Sequence, residues 1–282
     1  MKNMKKFASL GLSLVMMLSL AACGGSKTPA ASVSAAPAGS ADGSAAAAES
    51  DLEYVKGKGK LVVGITDFAP MDYKDKDGKW IGFDADNATA FAKSLGVDVE
   101  FIEVDWDNKI MELESKSIDC VWNGMTLTDE IMANAACTKA YAKNAQVVVV
   151  KDGTEYASTA DLVGKTVLAE AGSAGESAIQ DDENLSQADY VSKSVQTDCL
   201  MEVAAGTADA AILDLTLANA MIGEGTDYAN LKIVDELNAE EYGVAFRKGS
   251  DAAEAVNAAF DELKTDGTLE ALAAKYDLAL AD

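Results

Sequence analysis

Short apolar runs alternate with helix-period segments from Lys60 to the C-terminus, and few folds accept that alternation. Lys60-Leu-Val-Val-Gly-Ile-Thr66 reads as a buried strand. Trp80-Ile-Gly-Phe83 reads as a short strand entering a helix. In that helix Ala88, Phe91, Ala92 and Leu95 share one face, and Gly96 suits the stop. Val97, Val99 and Phe101 alternate as a strand, Ile110 and Leu113 begin another helix, and residues 118–125 make the next strand. After Tyr141 the rhythm resumes with strands at 146–150, 164–169 and 210–214. Helices are expected from Glu176 and over 200–205, the first preceded by the Gly-rich turn at 171–175. Val256, Ala259, Phe260 and Leu263, then Leu269, Leu272, Ala273 and Tyr276, give two further helical faces separated by Gly267. The pattern predicts an α/β fold without tandem repeats.

Ligands of open α/β sheets bind beyond the carboxyl ends of strands. Polar or aromatic groups stand at four such ends: Asp67 with Phe68, Thr126 with Thr128, Gly172 with Ser173, and Asp214. They come from both halves of the chain, which predicts a site between two lobes.

The first fifty residues carry a different message. Lys2, Lys5 and Lys6 precede an uncharged apolar run from Phe7 to Leu20, and Leu20-Ala21-Ala22-Cys23 follows. The run is shorter than the ~20 residues that span a bilayer but suits a signal peptide. The pattern resembles a bacterial lipobox, which implies cleavage before Cys23 and lipidation of its thiol. Residues 26–50 are mostly Ala, Ser and Gly with Pro29 and Pro37, a composition that cannot bury a core. It reads as a tether, with a reach of ~30 Å.

The net charge is −24, and losing the three leader lysines makes the mature chain more acidic still. That argues against nucleic acid as a partner. Two acyl chains on Cys23 would outweigh the repulsion from anionic headgroups. The chain has no histidine, which removes imidazole acid–base chemistry, Ser-His-Asp triads and most zinc sites. Cys120, Cys137 and Cys199 show no CxxC spacing and are expected as buried thiols. Arg247 is the one arginine.

Seven segments then occur in a telling order: Asp67-Phe-Ala-Pro-Met71, Gly82-Phe-Asp-Ala-Asp86, Val104-Asp-Trp106, Ile118 through Thr128, Leu162-Val-Gly-Lys165, Asp209 through Asp214, and Glu241 through Gly249. Together they resemble the polar amino-acid-binding family of ABC-importer solute-binding proteins, over roughly residues 60–278. The resemblance implies a periplasmic-binding-protein-like fold of type II: two Rossmann-like lobes joined by two hinge segments, near 139–145 and 236–243. The expected layout is a signal peptide at 1–22, a lipidated linker at 23–51, lobe 1 at 52–141 and 242–282, and lobe 2 at 142–241. It implies no cofactor, metal or catalysis, and a monomer held on the extracytoplasmic face of the cell membrane. A small-molecule ligand, an amino acid or amine, would pass to a permease and ATPase.

Carried over residue by residue, the resemblance makes Phe68 and Trp106 aromatic walls beside Asp67. Gly124 and Thr126 would offer backbone groups and a hydroxyl. Ser173, at a helix N-terminus, would favour a carboxylate, and Asp214 would pair with an α-ammonium. One position departs. The family's Thr-x-x-Arg, which grips an α-carboxylate bidentately, is Thr128-Asp-Glu-Ile131 here. Losing a charge-assisted hydrogen bond of ~1.5–3 kcal/mol lowers affinity about tenfold to a hundredfold. Either Lys109 reaches in as a point charge, or the ligand carries little negative charge, with Glu170 a second acid near Asp214. Arg247 is expected at the surface. Two further functions fit the scaffold: a sensory or adhesive lipoprotein, and a cyclohexadienyl dehydratase-like enzyme.

Overall fold

A computed structural model describes residues 50–282. The expectations for the signal peptide, Cys23 and the linker before Ser50 lie outside the described residues. The described residues all belong to one compact unit.

The chain enters through α1 (Asp51–Lys58), capped by the Ser50 hydroxyl, which accepts from the Glu53 N–H at 3.1 Å. Then follow β1 (Lys60–Ile65), the small hairpin β2 (Tyr73–Lys74) and β3 (Trp80–Ile81), α2 (Phe83–Ser94) and β4 (Asp98–Glu103). Next come α3 (Lys109–Glu114), β5 (Cys120–Thr126), α4 (Asp129–Asn134), β6 (Ala135–Cys137) and the long β7 (Ala142–Lys151). The chain continues through β8 (Thr166–Glu170), α5 (Ala174–Asp181), β9 (Asp189–Lys193), α6 (Gln196–Ala205), β10 (Ala210–Asp214) and α7 (Leu215–Met221). It closes with β11 (Leu231–Arg247), α8 (Ala252–Thr265) and α9 (Thr268–Lys275).

Nine of the described strands join one mixed sheet in the order β4-β1-β5-β11-β7-β10-β8-β9, with β6 paired to β11. The β1 and β8 pairings with β4 and β9 are parallel, as βαβ units require. The centre is antiparallel: β11 runs beside β7 from Tyr242 opposite Ala142 to Leu231 opposite Lys151, with two register shifts. The two segments expected to cross between lobes are therefore neighbouring strands of a continuous sheet. Val62 and Val63 in β1, Val121 and Trp122 in β5, Val147 to Val150 in β7 and Ala210 to Leu213 in β10 are all buried. This suits strands covered by helices on both faces.

Arg247 is not at the surface. It is buried, and its guanidinium donates to Asp51, to Asp119 and to the Ile118 carbonyl. Lys58 adds a salt bridge to Asp119 at 2.5 Å, and Asp251 accepts from the Leu52 N–H at 3.1 Å. The acids that claim the arginine, Asp51 in α1 and Asp119 just before β5, are far from it in sequence. The three cysteines among the described residues are free thiols; Cys120 and Cys199 are buried and Cys137 half-buried. Among the described residues no helix is long and apolar enough to cross a membrane, and no cluster of acids and cysteines could hold a metal ion.

Candidate functional site

A cavity of about 350 Å3 opens where the two ends of the sheet present their strand termini. Phe68, Trp106, Gly124, Thr126, Glu170, Ser173 and Asp214 all line it. Asp67 does not. Thr66 and Phe68 are buried and face the cavity, while Asp67 between them is exposed.

One wall is built by β1, β5 and their loops. Phe68 is buried and meets Tyr242 edge to face at 6.3 Å. It lies so close to β5 that a Cβ on Gly124 would fall 2.5 Å from its ring, and Gly124 itself holds φ +54°. Only glycine meets both conditions. The Gly124 N–H is not free for a ligand, because it donates to buried Asp84 at 2.6 Å. Burial pushes the Asp84 carboxyl up to about 7 despite that bond and another from Tyr141. Ile131 is buried on this wall, where the α4 turn fixes it: its N–H donates to the Thr128 hydroxyl.

Lys109 is buried rather than solvated. Its ammonium donates to the Trp106 carbonyl at 3.1 Å and, across the cavity, to the Gly172 carbonyl at 2.8 Å. It also sits 4.9 Å above the Trp106 ring, a favourable cation–π placement. Desolvation lowers its pKa, although Glu170 and Asp107 pull the other way. The walls touch here: a Cβ on Gly172 would come within 2.6 Å of the Asp107 Cα.

The opposite wall comes from β8, α5, α6 and β10. Asp214 ends β10 and is buried. Its Oδ1 accepts from Asn144 at 2.5 Å, Gln146 at 3.0 Å and the Tyr242 hydroxyl at 2.8 Å, while its Oδ2 accepts from Gln196. Burial, and then the charge of Glu240, hold its pKa well above the ordinary carboxylate range. Glu240 accepts from Thr126 at 2.9 Å, so that hydroxyl turns lone pairs rather than its proton toward the cavity. Glu170 is also buried, and its Oε1 has no hydrogen-bond partner. Burial, and next the charge of Asp214, push Glu170 up to about 8. Ser173 caps α5 by accepting from the Glu176 N–H at 3.1 Å, and Glu176 returns a bond from the Gly172 N–H at 2.7 Å. This reciprocal cap satisfies one of the backbone donors a helix start leaves over.

The sequence reading missed Asn144, Gln146, Gln196 and Tyr242, which hold Asp214 in place. A signal was present: Asn144 and Gln146 stand two residues apart at the start of the strand that continues into the apolar run 147–150, and so share a face.

Comparison with known proteins gives a consistent result. The model for "Bacterial extracellular solute-binding proteins, family 3" matches residues 61–279. The arginine-binding extracellular protein ArtP of Bacillus subtilis is 32% identical over 227 residues, covering 78% of this chain and 87% of ArtP. The L-cystine-binding protein TcyJ of Escherichia coli is 32% identical over 230 residues, covering 80% and 85%. Among solved structures, the ancestral amino acid-binding protein AncCDT-1, a precursor of cyclohexadienyl dehydratase, superposes with a TM-score of 0.73. It is 33% identical and the match covers 80% of this chain and 99% of that one.

Proposed function

Because this chain belongs to the bacterial extracellular solute-binding proteins of family 3, we propose that it captures an amino acid or amine-bearing small molecule for an ABC importer. In this reading Cys23 carries the lipid that holds it on the outer face of the cell membrane. The cavity is the binding cleft, the paired β7 and β11 act as the hinge, and a permease with its ATPase receives the ligand. Phe68 and Trp106 pack on the ligand. Thr126 accepts from its ammonium, and Asp214 and Glu170 balance its charge.

The observation that carries this reading is the acidic lining of the cavity. Asp107, Glu130, Glu170, Glu176 and Asp214 line it, against Lys109 as the single cationic side chain in the lining. Such a lining favours a cation, whose arrival draws Glu170 and Asp214 into their charged forms, over an anion. Isothermal titration and thermal melting with amino acids and small amines test the reading. A ligand at 100 times its Kd stabilises the folded chain by ~2.7 kcal/mol, and the ligand is recovered unchanged. No stabilisation by any of these compounds sinks it.

A second reading, catalysis of the cyclohexadienyl dehydratase type, draws support from the likeness to AncCDT-1. Prephenate carries two carboxylates, and an acidic wall with Ile131 at its edge opposes them. Loss of prephenate or arogenate on incubation would restore it. A sensory or adhesive role draws its support from Ile131, and failure of uptake to depend on this chain would favour it.

A further inference from the structure

Donors for a ligand carboxylate are few around this cavity: the first turn of α5 at Ala174, and Lys109. Ile131 offers the cavity only methyl and methylene groups. Lys109 has three N–H bonds; two already go to the carbonyls of Trp106 and Gly172. The Gly172 N–H at the turn before α5 already meets a carboxylate, the chain's own Glu176. Acceptors, by contrast, are in surplus. Glu170 is 3% exposed, and its Oε1 has no donor. A buried acceptor left unpaired costs free energy until a donor reaches it. Beyond Thr126 and Thr128 a second hollow of about 470 Å3 shares those residues and is edged by Asp181, Asp182 and Glu240.

We propose that the cavity selects an organic cation without a carboxylate, of the diamine or polyamine class, and that Glu170 with Ile131 sets this choice. This deepens the reading above and rests on it. One ammonium or guanidinium group sits between Glu170 and Asp214. Its methylene chain lies on Phe68 and Trp106, and the far cationic end points toward Ile131 and the acidic hollow. An α-amino acid of the same skeleton would bring a carboxylate into a wall of acids with no arginine to receive it. The Glu170 charge develops as the cation arrives, so binding releases a proton. Asp214, Lys109 and Asp105 face Glu170 and set how readily that proton leaves.

The test uses matched pairs that differ by one carboxylate: ornithine and putrescine, lysine and cadaverine, arginine and agmatine. The full chain, purified in detergent, is titrated with each by calorimetry. The amine of at least one pair is expected to bind at least about tenfold tighter than its amino acid. Ile131→Arg is expected to move that ratio at least about tenfold toward the amino acid. Glu170→Gln is expected to weaken the amine about tenfold and to reduce proton release, read from the buffer dependence of the heat. Amino acids that bind as tightly as their amines, or tighter, overturn this proposal and leave the solute-binding reading standing. Binding of neither member in any pair, nor of any other amine or amino acid, overturns both. Should Ile131→Arg fail to fold, the native ratios and Glu170→Gln still decide.

Discussion

The two walls of the cavity are made of different chemistry. The wall on β1 and β5 presents most of the apolar surface, Phe68, Trp106, Ile131 and the Cα of Gly124, with Asp107, Lys109 and Glu130 beside it. The wall on β8 and β10 carries the buried acids, with Asp214 held by four side-chain donors and Glu170 left short of one. Apolar contact is tolerant of which end of a ligand it meets; a buried carboxylate is not. The division assigns affinity for a carbon skeleton to one wall and discrimination among head groups to the other.

Asp214→Asn attacks the charged wall directly and should have the largest effect. It replaces a charge-assisted contact by a neutral one, and affinity for any cationic ligand should fall about a hundredfold by calorimetry. A loss under threefold would dissolve the contrast between the walls.

Gly124→Ala attacks the other wall. The new methyl meets the Phe68 ring at 2.5 Å in a backbone region that L-residues avoid. About tenfold weaker binding and a lower melting temperature are expected, with the ranking of ligands by charge preserved. A changed ranking would show that this wall also reads charge.

The third test uses pH. In the folded chain Glu170 keeps its proton up to about 8, whereas an ordinary glutamate releases it near 4.5. The folded state therefore binds more protons than the unfolded one across that window, and its stability falls as pH rises through it. Melting of the ligand-free chain between pH 5 and 9 should show this decline, and Glu170→Gln should make it shallower, the remainder coming from Asp84 and Asp214. Cation affinity should move the opposite way, rising as Glu170 ionises.

Lys109→Met should have the smallest effect on binding. It removes a positive charge from the cavity and also the cross-cavity bond to Gly172. These oppose each other, so affinity for a cation should stay within about threefold. A tenfold loss would mean that Lys109 touches the ligand.

Much of this architecture could be read from the sequence because its signals are local. The parallel ladders follow from alternating apolar runs, and the strand-end rule found the elements that surround the cavity. What it could not supply was side-chain direction. Asp67 belongs to the right loop and faces the wrong way, since Phe68 beside it takes the inward place. The contacts of Lys109 were hidden because its acceptor, Gly172, is 63 residues away. Arg247 looked like a surface residue because its partner Asp51 lies 196 residues earlier. The full length of β11 was hidden for another reason. Its first half is partly exposed and rich in acids at Asp235, Glu236, Glu240 and Glu241, so apolar periodicity marks only its last residues.

The α1 clamp has a mechanical consequence. Any pull on the chain upstream of Ser50 reaches the fold at α1, where Arg247 and Lys58 tie it to Asp51 and Asp119, and Asp251 holds its first turn. Those bonds lie on the side of the sheet built from β1 and β5. Load entering there is carried by the Arg247 and Lys58 rivets into β5 and β11. It has no direct route to β8, β9 or β10, so the acidic wall hangs free of the line of force.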